Sequence, residues 1–297
     1  GYSSDTAGAG YSNYPAGENR IAPKSALPEK LDLRAADLDG DGVTEPPYVT
    51  IAKAQSPWGT CWAFGALSAV ESNYIKTTGS AAKNVDFSER YHAWFAYTPD
   101  HGEGIESVKN ADKRLDYGGN RNISATVLSS WSGPAEESAA PYEANDGNTK
   151  SQDADWSLPD SLIRDSEAMS GARVQNIDFL PSTATFTDQQ SHEGYVYSDA
   201  ATTAIKQAIV DNGVVEISYC AAVSMPGGTT DLRYLNMETK AHYTDEYTTP
   251  NHAVSIVGWD DNYSAENFKE GNQPTADGAW IVKNSWGNFE DRSDEVW

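Results

Sequence analysis

Apolar residues recur at helical spacing after Cys61. Ala63, Ala66, Leu67, Val70 and Tyr74 fall on one face of a 3.6-residue helix. Thr60 stands where a cap belongs and Gly79 where a helix stops, so the pattern predicts a helix from Cys61 up to that glycine. Similar patterns predict helices over Ser88–Tyr97, Ile123–Ser132 and 201–212, the last ended by Gly213. Val214–Tyr219 alternates with a period of two, and His252–Trp259 and Ala279–Trp286 are further strand candidates. The first half therefore reads as mainly helical and the second as mainly β, an α+β chain. Residues 145–198 are polar and broken by Gly and Pro, and yield no assignable element.

The last two strands admit a spatial expectation. If they pair antiparallel through the 260–278 loop, His252 comes opposite Asn284 at one end of the sheet. Cross-strand partners lie roughly 5 Å apart at Cβ, and diagonal neighbours remain in reach. Residues 1–30 are rich in Gly, Ser, Ala and Pro and read as an extended arm or a propeptide remnant. The remaining 31–297 would form one domain, with a mainly helical lobe over about 31–143 and a mainly β lobe over about 144–297.

Composition narrows the function classes. The net charge of -23 argues against nucleic acid, whose phosphates need clustered Lys and Arg. It suits an extracellular or salty setting. No run approaches the roughly 20 apolar residues of a membrane span, and no leader is visible at Gly1. With only Cys61 and Cys220 there is no disulfide framework, and Cys220 follows an apolar strand pattern suited to a small buried hydrophobe.

Cys61 opens the strongest predicted helix, where amide N–H groups and the helix dipole favour a thiolate. His252 and Asn284 supply a base and an orienting group, and Gln55 is near enough in sequence to help hold an oxyanion. A nucleophile, base and amide in this relation point to a cysteine peptidase.

Gln55 to Phe64, Phe87-Ser88-Glu89-Arg90, Tyr117-Gly118-Gly119-Asn120, Asn251 to Gly258 and Trp280 to Gly287 resemble the signature blocks of the papain-like cysteine peptidases, in that family's order. Leu31-Asp32-Leu33-Arg34 resembles the start of its mature domain, and Gly258 to Tyr263 looks most like secreted bacterial members. The resemblance implies a papain-like two-lobe fold with the site in the cleft between lobes. It also implies a secreted or cell-surface endopeptidase acting on protein or peptide substrates, and on its own propeptide, without a cofactor in the chemistry. Gly118 and Gly119 would form an open wall for substrate backbone, and Trp286 would shield the His252–Asn284 bond.

Several features depart from the family pattern. Two positions where relatives carry a cysteine hold Trp58 and Asp116. The separation of His252 from Cys61 exceeds the roughly 130–150 positions usual in papain relatives, which implies insertions at 145–198 and 224–248. Relatives also continue with further strands past the point where this sequence stops at Trp297. Asp37, Asp39 and Asp41 alternate before Gly42 like the opening of a calcium loop, but Tyr48 replaces the twelfth-position Glu. That segment is an incomplete Ca²⁺ site or an acidic turn. Two other functions use the same residues: acyl transfer by the same triad, or a glycan- or protein-binding module built on the 9 Trp and 16 Tyr.

Overall fold

The computed structural model describes residues 27–38, 41–97, 111–142, 155–163, 165–188, 193–221, 223–224, 230–244 and 249–287. Helix α1 (Cys61–Thr78) occupies the predicted span, and Gly79 ends it in the left-handed conformation at φ 70°. Ala63, Ala66 and Leu67 are buried as the periodicity requires. Thr60 differs from expectation. Its hydroxyl makes no cap bond and instead pairs with the Tyr142 hydroxyl at 2.7 Å. Helix α2 (Glu89–Phe95) is capped by Ser88, whose side chain accepts the Tyr91 N–H. Helix α3 (Arg121–Ser129) is capped by Asn120, which accepts from Asn122 and Ile123.

β1 (Lys30–Asp32) is the first strand, and the polar middle of the chain contains a hairpin of β2 (Ala184–Asp188) and β3 (Glu193–Tyr197). Helix α4 (Asp199–Asn212) follows, then β4 (Val215–Tyr219) and a short pair, β5 (Val223–Ser224) with β6 (Thr230–Asp231). Strand β7 (His252–Asp260) is the centre of the main sheet and is buried over almost its whole length. It pairs antiparallel with β4, with β1 and with β8 (Ala279–Lys283).

One boundary moves. Residues 27–30, assigned above to the arm, belong to the fold: Leu27 packs in the core beneath the sheet, the Pro28 carbonyl accepts the Trp259 indole N–H at 3.0 Å, and Lys30 pairs with Asp260. A strand at the sheet edge satisfies its backbone there, which a solvated arm does not. The rest of the predicted arm, 1–26, lies outside the described residues.

Apolar burial falls into separate clusters. Trp62, Phe64, Tyr91, Phe95, Tyr142 and Trp156 pack among the helices. Leu31, Leu33, Ile205, Ile209, Ile256 and Trp259 pack between the sheet and α4. Ala253, at the start of β7, belongs to the helical cluster, so this is where the two halves meet.

Candidate active site

The site lies where the N-terminus of α1 meets the first residues of β7. The backbone N–H of Ala253 hydrogen-bonds the Cys61 thiol, and so does that of Trp62. Since Ala253 directly follows His252, this contact brings the predicted nucleophile and base to one place. Both cysteines are free.

His252 Nε2 and Asn284 Oδ1 are 2.7 Å apart in a buried pair. The Ser285 backbone N–H also donates to that oxygen at 2.7 Å, so the amide is fixed with its oxygen toward the ring. His252 Nε2 therefore carries the hydrogen and Nδ1 is left as the acceptor. The predicted register is off by two. Ser255 stands opposite Lys283, so continuing the ladder sets His252 opposite Trp286, with Asn284 on the diagonal. Trp286 accordingly stacks on the imidazole, with ring centroids 5.1 Å apart and planes at 26°.

Gln55 is held at both ends. Its Oε1 accepts from Ser285 Oγ at 2.7 Å, and its Nε2 donates to the Trp58 carbonyl at 2.9 Å. The amide has two N–H bonds, and these contacts use one of them. Its backbone N–H bonds the Ser285 carbonyl at 2.8 Å, and its own carbonyl accepts from Tyr142. The Tyr142 hydroxyl thus ties Thr60 to Gln55 and fixes the loop leading into Cys61. Sequence reasoning missed Tyr142, which no local pattern marks. It also missed Ser285, although the Asn284-Ser285-Trp286-Gly287 block contains it.

Two buried lysines brace the same segments. Lys53, two residues before Gln55, donates to Asp86 at 2.6 Å, to Glu89 at 2.7 Å and to the Phe87 carbonyl at 3.1 Å. Lys283, next to Asn284, donates to Thr50 Oγ1 at 2.8 Å, and Thr50 in turn donates to Glu71. Burial alone would depress the Lys53 ammonium, but the Glu89, Glu71, Glu137 and Asp86 carboxylates outweigh it and hold it above the ordinary lysine range. Burial pushes Glu89 up to about 8 and Glu137 up to about 7, each against the pull of Lys53.

Burial also dominates at the site. It pushes the Cys61 thiol up, opposed by the Ala253 and Trp62 amides, with Glu216 adding to the rise. It pushes His252 down, opposed by Asn284. An ion pair of thiolate and imidazolium must overcome both, and the amides already act in that direction.

Gly118 has φ +78° and its carbonyl accepts the Tyr97 hydroxyl at 2.6 Å. Gly119 has a packing reason to be glycine, since a Cβ there would come within 2.2 Å of the Trp62 indole. The Asp37 carboxylate accepts the Gly42 N–H and that of Asp41 accepts the Val43 N–H, as in an acidic turn, while Asp39 lies outside the described residues. Trp58, where relatives carry a cysteine, is buried edge-to-face on Trp156 at 5.9 Å.

Known proteins share this architecture. The family model described as papain family cysteine protease matches residues 27–92 and 116–292. Peptidase 1 of Psoroptes ovis is 31% identical over 128 residues, 43% of this chain and 31% of that protein. The clostridial cysteine protease Cwp84 after propeptide cleavage is 28% identical with a TM-score of 0.53, covering 82% of this chain and 48% of its own. A structure of the cysteine protease and lectin-like domains of Cwp84, a surface layer associated protein of Clostridium difficile, is 26% identical with a TM-score of 0.49. It covers 90% of this chain and 46% of its own. The chain thus spans less than half the length of these relatives. No described helix is long and apolar enough to cross a membrane. With its fold, its ordered blocks and the match over most of its length, the chain belongs to the papain family of cysteine proteases.

Proposed function

We propose that this protein is a cysteine endopeptidase that cleaves peptide bonds through a thiolate–imidazolium pair and an acyl-enzyme. The observation that carries the reading is the pair of contacts converging on one spot: Ala253 N–H on the Cys61 thiol, and His252 on Asn284 at 2.7 Å.

His252 Nδ1 takes the Cys61 proton, and Asn284 holds the ring by its Nε2–H. Sulfur attacks the carbonyl carbon of the scissile peptide. The oxygen that becomes anionic receives hydrogen bonds from the Cys61 backbone N–H and the second Gln55 amide N–H. As the C–N bond breaks, the imidazolium gives its proton to the departing amine, leaving a thioester. The same imidazole then deprotonates water, which attacks the thioester and restores the thiol. An amide is an apt third member, because the imidazolium already faces a thiolate counter-charge.

Gly118 and Gly119 would present backbone to an extended substrate, and Trp286 would keep water off the His252–Asn284 bond. An extracellular or surface location and release from a propeptide draw support from the acidic composition and from propeptide-cleaved, surface-layer-associated Cwp84. A structural Ca²⁺ site at Asp37, Asp39 and Asp41 would also take up Tb³⁺ in titration, and an absent signal removes it. The decisive experiment is labelling by E-64 at Cys61, with loss of peptide cleavage in Cys61→Ala. Full activity in that variant refutes the proposal.

A further inference from the structure

The β4–β7 pair presents one face to α1, and a carboxylate stands on that face beside the thiol. Glu216 is opposite Ser255, and one step nearer the site on the same face Ser218 is opposite Ala253, whose N–H holds Cys61. Two residues along a strand span roughly 7 Å. Gly65 makes room for the side chain, since a Cβ there would sit 3.0 Å from Glu216 Cγ. The residue as a whole is half-buried, yet its Oε1 is enclosed and has no hydrogen-bond partner among the described residues. Ser255 does not serve it, because that hydroxyl donates to the Gly65 carbonyl at 3.3 Å. Its charge helps raise the Cys61 thiol, and exposed Arg121, which follows the Gly118–Gly119 segment, pulls against the rise of Glu216 itself. Glu216 therefore stands on the α1-facing side of β4, one same-face position from the residue opposite Ala253.

We propose that Glu216 is a specificity-determining residue that receives a lysine or arginine side chain of the substrate peptide. This rests on Cys61 being the peptidase nucleophile. A buried carboxylate oxygen without a donor is destabilising, and an incoming ammonium or guanidinium supplies both the missing N–H and the opposite charge. The net charge of -23 draws cationic peptides toward the molecule in the same sense. Arg121 sits at the rim, and its own charge competes with that of the substrate.

The test is a peptide library varied one position at a time with Lys, Arg, Gln and norleucine, cleaved by the full chain and by Glu216→Gln and Arg121→Gln. E-64 titration sets the concentration of folded enzyme for each. One position should favour Lys or Arg over norleucine by at least about tenfold in kcat/KM, a ratio that collapses in Glu216→Gln and rises in Arg121→Gln. No basic preference at any position, or one that survives Glu216→Gln, overturns the inference. If the wild type neither cleaves nor takes up E-64, the peptidase reading itself fails. Calorimetry of Lys and norleucine peptides on Cys61→Ala isolates the inference without turnover: equal affinities refute it.

Discussion

Trp286 covers His252 because the β7–β8 register, counted three residues past the end of β8, sets them opposite each other. The stack covers one face of the imidazole, and burial is what lowers the ring's proton affinity. In Trp286→Ala, water reaches the His252–Asn284 bond. We expect kcat/KM to fall about tenfold, in line with roughly 1–1.5 kcal/mol for an exposed hydrogen bond. NMR titration of His252 in a Cys61→Ala background checks the cause. The pKa should start below the ordinary histidine value and move upward when Trp286 is also removed. An unmoved titration would disprove the shielding role.

Gln55 has separable duties. Its Oε1 braces Ser285, while its amide hydrogens face Trp58 and the site. Gln55→Glu keeps an acceptor for Ser285 and removes both donors. It should lower kcat by about 10²–10³-fold, the loss of one oxyanion donor, and lower Tm only through the Trp58 carbonyl, which loses its donor. Gln55→Ala removes the brace as well and should lower both. A Gln55→Glu enzyme with near-normal kcat would assign the oxyanion to other groups.

The helices around Cys61, the strand bearing His252 and the strand leading into Asn284 were readable because each is a local pattern: an apolar stripe, a cap, an alternation. The register was not. Strand numbers allow His252 to face Asn284, but the ladder is set by Ser255 against Lys283 and by a shift between Ile256 and Gly258, which no turn residue announces. Tyr142 was invisible for a similar reason, since its hydroxyl serves Thr60 and Gln55 from far along the chain. At Gly119 the sequence shows only a glycine, while the Trp62 ring that excludes a Cβ there comes from far along the chain. Sequence pattern sees neighbours in the chain, and these constraints arise between segments.

Buried Lys53 contacts buried Glu89 and exposed Asp86 and lies within 3.9 Å of buried Glu71. Lys53→Met leaves those carboxylates uncompensated and should destabilise the fold by about 3–5 kcal/mol in chemical denaturation. Replacing Glu89 by Leu in the same protein removes one stranded charge and should recover part of the loss. If the double variant is as unstable as the two single effects added together, the residues do not act as a pair.

Opposed titrations shape the pH dependence of stability. Burial pushes Glu216 up to about 7, against a pull from Arg121. The folded state therefore holds that proton more tightly than the unfolded chain, and stability present below about pH 4.5 is lost as pH rises through 7. His242, packed edge-on against Tyr219 at 4.9 Å, runs the other way. Burial lowers it to about 4, so the unfolded state takes up the proton first and stability is lost as pH falls from about 6.5 toward 4. The two slopes oppose each other over nearly the same window. Glu216→Gln should raise Tm at pH 8 relative to pH 5, and His242→Phe should raise it at pH 5 relative to pH 8, each by several degrees. Calorimetric melts across that range decide it: parallel Tm curves for wild type and either variant would show that the corresponding group does not titrate differently on folding.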